Sequence, residues 1–313
     1  MTVLLKSSLS GIQKGIELLK QGEVIAFPTE TVYGLGAPIF SVESIKTIFQ
    51  IKQRPPDNPL IAHISSPDQI KLIAQKIPPL FHLLSEAFFP GPLTILLPKH
   101  ESVPAIASAG LSTLGVRMPS HPVARRLIEG VGIPLVAPSA NLSGHPSSTT
   151  AQHVIDDFNG KIAAVIDGGP SFFGLESTVI SLAPDPILLR PGVITKEEIE
   201  KVLKRPLLMA QLESQNAPPS PGMKYRHYAP KAKLSLFETK KDLESYLATA
   251  PSLKRKTLTS LKPEELYLRL READQQECEE ILVLCEKIAG NLALMNRLQR
   301  AADYPKQKVE MKV

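Results

Sequence analysis

Short apolar runs alternate with amphipathic helical patterns through the first 204 residues of this 313-residue chain. The runs include EVIAF, LIAHI, LTILLP and ILLR, and many stand next to proline, which ends strands and stiffens the loops that follow. The segments between them, such as SVESIKTIFQIK and HPVARRLIEG, carry apolar residues at helical spacing. This alternation predicts an α/β fold built on a mixed sheet.

Three helix starts carry the residues of a capping box, in which a hydroxyl residue is followed three positions later by Gln or Glu. The expected pairs are Ser10 with Gln13, Thr149 with Gln152, and Thr195 with Glu198.

The chain is long for one domain, and a proline-rich stretch marks where it divides. We assign residues 1–205 to one domain, 206–230 to a linker and 231–313 to a small α/β domain. The linker carries five side chains with polar or charged heads in a row, Lys224–Tyr228, which a passive tether does not require. We expect either a lid over a neighbouring cleft or a segment that packs the two domains together.

Composition excludes several classes of protein. The chain has no run of about 18 apolar residues, so we expect no membrane span, and its first residues do not resemble a signal peptide. The net charge of +5 is modest and favours anionic ligands. With no Trp and 5% aromatic residues, an RNA reader built on stacking is disfavoured. Cys278 and Cys285 are interpreted as buried free thiols of a cytoplasmic protein.

Polar residues are concentrated in loops at predicted strand ends, where α/β sheets bind ligands. The loop PTETVYGLG, residues 28–36, is either a tight turn with threonine caps or a place where glycines let the backbone approach a ligand. Lys52 and Arg54 lie two apart at a helix end. They either stabilise the helix dipole or form an anion site with Asn58 and His63.

Two further loops and one strand complete this set. Arg117 lies in the apolar run TLGVRMP, and a buried guanidinium needs a partner such as a carboxylate or a phosphate. The loop APSANLSGHPSSTT suits a phosphate at a helix start, or is simply loop and cap chemistry. LESTVI and Arg190 add hydroxyl groups and another cation. Such groups position phosphates and stabilise charge more than they abstract protons.

In their order along the chain, PTETVYGLG, KQRPPDNPL, FFPGPLTILLP, GVRMPSHP, PSANLSG, ESTVI and LRPG resemble the YrdC-like domain of threonylcarbamoyl-AMP synthases. The resemblance spans about residues 10–204, and SPGMKYRHYAP with ALMNRLQRAA resembles the linker and tail of the two-domain form. It implies a YrdC-like twisted mixed sheet with flanking helices and a concave basic cleft. It also implies a small Rossmann-like α/β C-terminal domain, here shortened.

The resemblance implies a nucleotidyltransferase that makes L-threonylcarbamoyl-adenylate from L-threonine, bicarbonate or CO2, and ATP with Mg2+, and releases pyrophosphate. A downstream transferase complex would pass the threonylcarbamoyl group to the adenosine next to the anticodon of certain tRNAs. The protein would be cytoplasmic and would not contact a membrane, and weak binding of tRNA or other RNA is left open.

The resemblance also assigns site residues. The signature tetrad, taken as catalytic, is Lys52, Arg54, Ser139 and Asn141. The expected threonine-binding residues are Thr31, His63, Arg117, Ala137 through its backbone, and Ser177. The expected ATP-binding residues are Arg54, Asn58, Thr113, Ser139, Ser147, Arg190 and, in the lid, Tyr228.

Two other functions compete with this one. One is a binding module for double-stranded RNA or tRNA. The other is a carbamoyl-adenylate-forming domain like that of hydrogenase maturation proteins, which carry zinc-finger-like cysteines and an acylphosphatase segment that this chain lacks.

Overall fold

The predicted alternation of helices and strands is present in the computed structural model, which describes residues 1–210 and 227–302. The chain divides into two compact units. The first contains Met1–Ser143 and the described part of Ser147–Tyr225. The second contains Gly144–Pro146 and the described part of Arg226–Val313.

The first unit is built on one large sheet flanked by helices. Its strands are β1 (Val3–Lys6), β2 (Ile25–Phe27), β3 (Gly34–Pro38), β4 (Ile61–His63), β5 (Leu93–Pro98), β6 (Thr113–Arg117), β7 (Leu135–Val136), β8 (Ala164–Asp167), β9 (Thr178–Ser181), β10 (Ile187–Arg190) and β11 (Leu208–Met209). Its helices are α1 (Leu9–Lys20), α2 (Val42–Lys52), α3 (Pro79–Phe88), α4 (Pro122–Val131), α5 (Ala151–Phe158) and α6 (Lys196–Leu203).

The sheet of this unit is mixed, as predicted. Its 11 strands lie in the order β1-β8-β2-β3-β7-β4-β6-β5-β9-β10-β11. At its centre β4 and β6 are parallel, and β5 is antiparallel to β6 and parallel to β9. Loops that follow β4 and β6 therefore leave the same edge of the sheet, at which His63 and Arg117 end their strands.

One part of the core of the first unit lies between the helix pair α1 and α4 and the strands beneath them. Ile12, Ile16 and Leu19 of α1 pack with residues of α4 and with strand residues such as Phe27 and Ile166. All of these side chains are buried, because the apolar stripe of each helix faces the sheet.

Two of the three predicted capping boxes are wrong by one or two residues. Helix α1 is capped by Ser8, whose hydroxyl accepts from the Gly11 amide, so Ser10 already lies inside the helix. Helix α5 is capped by Thr150. Thr149 is buried, and its hydroxyl lies 3.4 Å from His153 Nδ1 instead.

The third capping box is confirmed. The Thr195 hydroxyl accepts from the Glu198 amide, and the Glu198 carboxylate accepts from the Thr195 amide at 2.7 Å. Residues Pro67–Leu72, between β4 and α3, form a short 3-10 helix.

Strand β3 lies inside the glycine-containing loop and was missed because glycine does not favour strands. It pairs with β2 in antiparallel register, which places Gly36 opposite Ile25. A Cβ on Gly36 would lie 2.4 Å from the Phe27 ring, so this position requires glycine.

The second unit contains a three-stranded sheet and three helices among its described residues. The strands β12 (Lys233–Phe237), β13 (Arg255–Leu258) and β14 (Glu280–Leu284) are parallel and lie in the order β12-β14-β13. The helices are α7 (Lys240–Thr249), α8 (Leu266–Gln275) and α9 (Leu292–Ala301). This is the small Rossmann-like α/β arrangement that was expected.

The cysteines of the second unit are free and buried, as predicted. Burial raises the pKa of the Cys285 thiol to about 11, so it is not a thiolate at neutral pH. No helix within residues 1–210 or 227–302 is long and apolar enough to cross a membrane.

Gly192 follows β10 and lies against the backbone that carries Ser177. A Cβ at this position would lie 2.3 Å from the Thr178 nitrogen and 2.5 Å from the Ser177 carbonyl carbon. Because backbone cannot move aside as a flexible side chain can, we expect Gly192→Ala to lower the free energy of unfolding by about 1–3 kcal/mol. Urea denaturation measures this change.

Gly290→Ala is the matched control, because a Cβ there meets no described atom within 4 Å. We expect its unfolding midpoint to stay close to that of the wild type. An unchanged midpoint for Gly192→Ala, or an equal loss in both variants, would contradict the tight contact at Gly192.

Candidate active site

Arg117 is the last residue of β6, and its guanidinium group donates hydrogen bonds to three different residues. Its Nε donates to the Gly91 carbonyl at 3.3 Å and its Nη1 to the Thr31 hydroxyl at 2.9 Å. Its Nη2 donates to Glu30 Oε1 at 2.6 Å. The carboxylate partner that the sequence demanded for this arginine therefore comes from the protein itself.

Glu30 and Arg117 form a buried ion pair, since their side chains are only 6% and 5% exposed. Burial alone would raise the pKa of Glu30. The charge and the hydrogen bond of Arg117, with nearby backbone amides, outweigh burial and lower it. Glu30 is therefore ionised at neutral pH.

His63 ends β4 and lies in register beside Arg117. Burial, together with the positive charge of Arg117, lowers its pKa to about 3, so the imidazole is neutral at neutral pH. Its Nδ1 lies 3.1 Å from the Ile61 carbonyl, which can only accept, so Nδ1 carries the hydrogen. Nε2 consequently carries a lone pair and can accept a hydrogen bond from a ligand.

A second buried guanidinium, that of Arg190, lies at the end of β10. It donates from Nε to the Ser177 carbonyl at 3.1 Å and from Nη2 to the Ser177 hydroxyl at 3.2 Å. The same hydroxyl lies 2.7 Å from Thr94 Oγ1 on β5. Arg190 and Thr94 therefore fix the position of Ser177.

Lys52, the last residue of α2, is almost completely buried. Its ammonium donates to the Ser139 carbonyl at 2.5 Å and also to the Asn141 carbonyl. Its own carbonyl accepts from the Ser143 amide at 3.0 Å. Three of the four tetrad residues, Lys52, Ser139 and Asn141, are thus brought together, with the lysine holding the loop that carries the other two.

Arg54, the fourth tetrad residue, lies just beyond the helix and is half-buried. Its Nε donates to the Asn58 carbonyl at 3.0 Å and its Nη2 to the Pro59 carbonyl at 2.7 Å. The Asn58 side chain is buried, and its Oδ1 has no hydrogen-bond partner among the described residues. These two bonds fix the conformation of the RPPDNP loop and the position of the Arg54 guanidinium beside it.

Ser147 lies in the loop that precedes α5 and is fully buried. Its hydroxyl donates to Glu176 Oε1 at 2.6 Å. Glu176 directly precedes Ser177, so this bond joins the loop of Ser147 to the segment that Arg190 holds.

Three other predicted site residues, Ala137, Thr113 and Tyr228, lie in environments that differ from one another. Ala137 is buried, and its amide donates to the Ile61 carbonyl at 3.1 Å. Thr113 is half-buried at the start of β6, opposite Pro98. Tyr228 belongs to the second unit, where its ring lies 5.5 Å from the Tyr267 ring. The neighbouring residues 211–226 of the predicted lid lie outside the described residues.

His121 caps α4, since its Nδ1 accepts a hydrogen bond from the Val123 amide. Sequence reasoning missed the roles of Glu30 and Glu176. The available signal was the presence of each acidic residue within a hydroxyl-rich loop directly after or before a buried strand.

The site combines cations with a small number of carboxylates. Lys52, Arg117 and Arg190 are buried, and the buried carboxylates of the described part of the first unit are Glu30 and Glu176. Hydroxyl groups and backbone carbonyls satisfy most of the donors. Such an arrangement fixes the positions of positive charges in advance, as the binding of carboxylate and phosphate groups requires.

Comparison with known proteins identifies the family. A family model described as Telomere recombination, named for Sua5, YciO and YrdC, matches residues 17–192. A second model, described as Threonylcarbamoyl-AMP synthase, C-terminal domain, matches residues 194–303.

Curated relatives align over most of this chain. The threonylcarbamoyl-AMP synthase of Pyrococcus abyssi is 43% identical over 91% of this chain and 92% of the relative. That of Bacillus subtilis is 42% identical over 93% of this chain and 92% of the relative.

Solved structures agree with the sequence comparison. A crystal structure of P. abyssi Sua5 complexed with L-threonine matches with a TM-score of 0.89 and 38% identity, over 97% of this chain and 98% of the other. E. coli YciO matches 62% of this chain with a TM-score of 0.56 and 25% identity.

The neutral state of His63 has a consequence for stability. Its folded pKa of about 3 lies below the unfolded value near 6.5, so the unfolded chain binds more protons between these values. The free energy of unfolding therefore falls as pH decreases below about 6.5, by up to about 1.4 kcal/mol per pH unit from this residue.

We expect His63→Gln to remove that contribution in urea denaturation series between pH 4.5 and 7. The exposed His82 supplies the control, because His82→Gln should retain the wild-type slope. A His63→Gln slope equal to that of the wild type would show that His63 is not held neutral.

Proposed function

The chain belongs to the threonylcarbamoyl-AMP synthase family, and from this premise we propose how its residues perform that family's reaction. The reaction joins L-threonine, bicarbonate or CO2, and ATP into L-threonylcarbamoyl-adenylate, with release of pyrophosphate. It serves the threonylcarbamoyladenosine modification of tRNA.

Arg117 binds the carboxylate of threonine. This assignment is supported by the rigid anchoring of Arg117 to Gly91 and Thr31, which sets the direction of its remaining N–H groups. His63 accepts a hydrogen bond through Nε2. The remaining threonine contacts come from the Thr31 and Ser177 hydroxyls and the backbone of Ala137.

ATP is held by the neighbouring loops. The proposed residues are Arg54, Asn58, Thr113, Ser139, Ser147, Arg190 and, by the resemblance of the linker, Tyr228. Support comes from the buried guanidinium of Arg190 and from the unpartnered Oδ1 of Asn58 among the described residues, which suits a donor such as an adenine amino group or a ribose hydroxyl.

We assign Lys52 and Asn141 to maintaining the conformation of the loop that carries Ser139. Because Lys52 donates to two carbonyls of this loop, it keeps Ser139 and Asn141 in place, and its charge adds to the positive potential near the phosphates. Lys52 is accordingly a positioning residue in this proposal.

The reaction has two steps. The threonine amine first loses a proton and adds through its nitrogen to the carbon of CO2, which gives a carbamate and releases a second proton. A carbamate oxygen then attacks the α-phosphorus of ATP, and the bond from that phosphorus to the bridging oxygen breaks as pyrophosphate leaves. The chain contributes alignment and charge neutralisation more than a strong base.

Magnesium fits this site only as a companion of ATP. Within residues 1–210 and 227–302 no three His, Cys, Asp or Glu residues meet in a way that could hold a metal ion. Mg2+ is commonly bound through phosphates with one or two carboxylates, and it would neutralise phosphate charge when ATP binds.

The product is a mixed anhydride that water hydrolyses, so the site must close over it. We assign this closure to the predicted linker, residues 206–230, which includes Tyr228 and of which 211–226 lie outside the described residues. We expect a downstream transferase complex to receive the threonylcarbamoyl group. Tyr228 has a φ of +65°, which is uncommon for tyrosine and is kept only where the surroundings hold it.

The observation that carries the proposal is the pair of buried guanidinium groups at strand ends, Arg117 against Thr31 and Arg190 against Ser177. The test measures pyrophosphate release from ATP and bicarbonate with threonine, with serine or with no amino acid, and detects the adenylate by mass spectrometry. Release that is independent of the amino acid would refute the threonine assignment.

Arg54→Ala should reduce threonine-dependent pyrophosphate release by about 100-fold or more, because one pre-positioned cation at the phosphates is lost. Arg205→Ala, which removes an exposed arginine of the same unit, is the control and should leave the rate unchanged. A near-wild-type rate for Arg54→Ala would contradict its role, and melting temperatures separate catalysis from folding.

Tyr228 allows the ring and the hydroxyl group to be tested separately. The ring packs near Tyr267 and under the Arg297 guanidinium at 5.5 Å, so Tyr228→Ala should lower both stability and turnover. Tyr228→Phe keeps the ring and should raise the KM for ATP with an unchanged melting temperature. If Tyr228→Phe shows wild-type kinetics, the hydroxyl does not contact the nucleotide.

A further inference from the structure

The two carboxylate oxygens of Glu30 differ in their hydrogen bonding. Oε1 accepts from Arg117 Nη2 at 2.6 Å. Oε2 is buried and forms no geometrically sound hydrogen bond with the described residues, although the backbone amides of Glu30 and Ser120 lie close enough to the carboxylate to help lower its pKa. A buried anionic oxygen without a donor is costly, and each such atom in a folded protein calls for an explanation.

Arg117 has donors left on the same side chain. Three of its five N–H groups bond to Gly91, Thr31 and Glu30, which leaves two for a ligand. The ion pair therefore presents unused donors beside an unused acceptor.

The charges of this cluster balance without a ligand. Besides Arg117, the titratable groups that interact electrostatically with Glu30 are the imidazoles of His63 and His121. Burial lowers the pKa of both imidazoles, so both are neutral at neutral pH. Glu30 and Arg117 then carry one negative and one positive charge, and the cluster has no net charge.

This net-neutral cluster complements a zwitterion, because Glu30 Oε2 can accept a hydrogen bond and Arg117 has two N–H groups left to donate. An anion placed on Arg117 would give two carboxylates for one guanidinium, which burial makes unfavourable. A free amino acid adds a carboxylate and an ammonium together and keeps the charges balanced.

We infer that Glu30 recognises the α-amino group of the amino-acid substrate, with Oε2 accepting a hydrogen bond from it while Oε1 keeps Arg117 in position. The inference rests on the proposed function, which places the substrate carboxylate on Arg117. The nitrogen keeps one N–H after it has become part of the carbamate, so the contact to Glu30 is available through both steps. Glu30 is thereby a specificity-determining residue.

The test compares two ligands with the full chain by titration calorimetry at pH 7.5. L-threonine carries the amino group, and 3-hydroxybutanoate has the same skeleton without it. For the wild type we expect threonine to bind about tenfold or more tightly, since a hydrogen bond to a buried charge distinguishes the two. In Glu30→Gln this preference should fall about tenfold, because the site becomes net positive and accepts the anion.

Two further variants separate recognition from folding. Glu30→Asp keeps the charge and should retain a preference for threonine. Glu280→Gln removes a different buried carboxylate, which pairs with Arg255 at 2.8 Å in the second unit, and should keep the wild-type ratio. It reports the effect of removing a buried, ion-paired carboxylate that lies outside the first unit.

Several results would overturn the inference. One is a Glu30→Gln chain in which both ligands weaken by the same factor, which indicates a purely structural role. Another is a wild-type chain that binds 3-hydroxybutanoate as tightly as threonine, and this needs no variant to fold. A wild type that binds neither ligand would refute the proposed threonine site itself, which is a distinct outcome.

Discussion

The ion pair between Arg117 and Glu30 is the interaction on which the rest of the site depends. An unpaired guanidinium this deeply buried would destabilise the fold by several kcal/mol. The pair keeps both groups charged, and the charge of Arg117 in turn helps to keep His63 neutral. The sheet supplies the geometry, because the parallel register of β4 and β6 places His63 beside Arg117 at one edge.

The other elements of the site repeat this arrangement with different partners. Arg190 holds Ser177, and Lys52 holds the loop of Ser139 through backbone carbonyls. In each case a long cationic side chain ends a strand or helix and satisfies acceptors in a separate loop. Positive charge is thus fixed before any ligand arrives, so binding a phosphate or carboxylate requires little reorganisation.

The sequence predicted the large features of the fold because they depend on local patterns. Apolar runs beside prolines located most strands, and helical spacing located the helices. Helix starts were less certain, since Ser8 and Thr150 compete with neighbouring hydroxyl residues and tertiary contacts decide between them. Strand β3 was missed because glycine does not favour strands, and the reason for Gly36 is a tertiary contact, the Phe27 ring on the neighbouring strand.

The sequence predicted which loops form the candidate site, but it did not predict which side chains in those loops contact each other. A partner for Arg117 was demanded by its place in an apolar strand, yet its identity as Glu30 depends on a contact 87 positions away in the sequence. The most direct measurement is a crystal structure of the chain with L-threonine. The account predicts that Glu30 Oε1 stays within hydrogen-bond distance of Arg117 while Oε2 contacts the substrate amine. A Glu30 side chain turned away from both groups would contradict it.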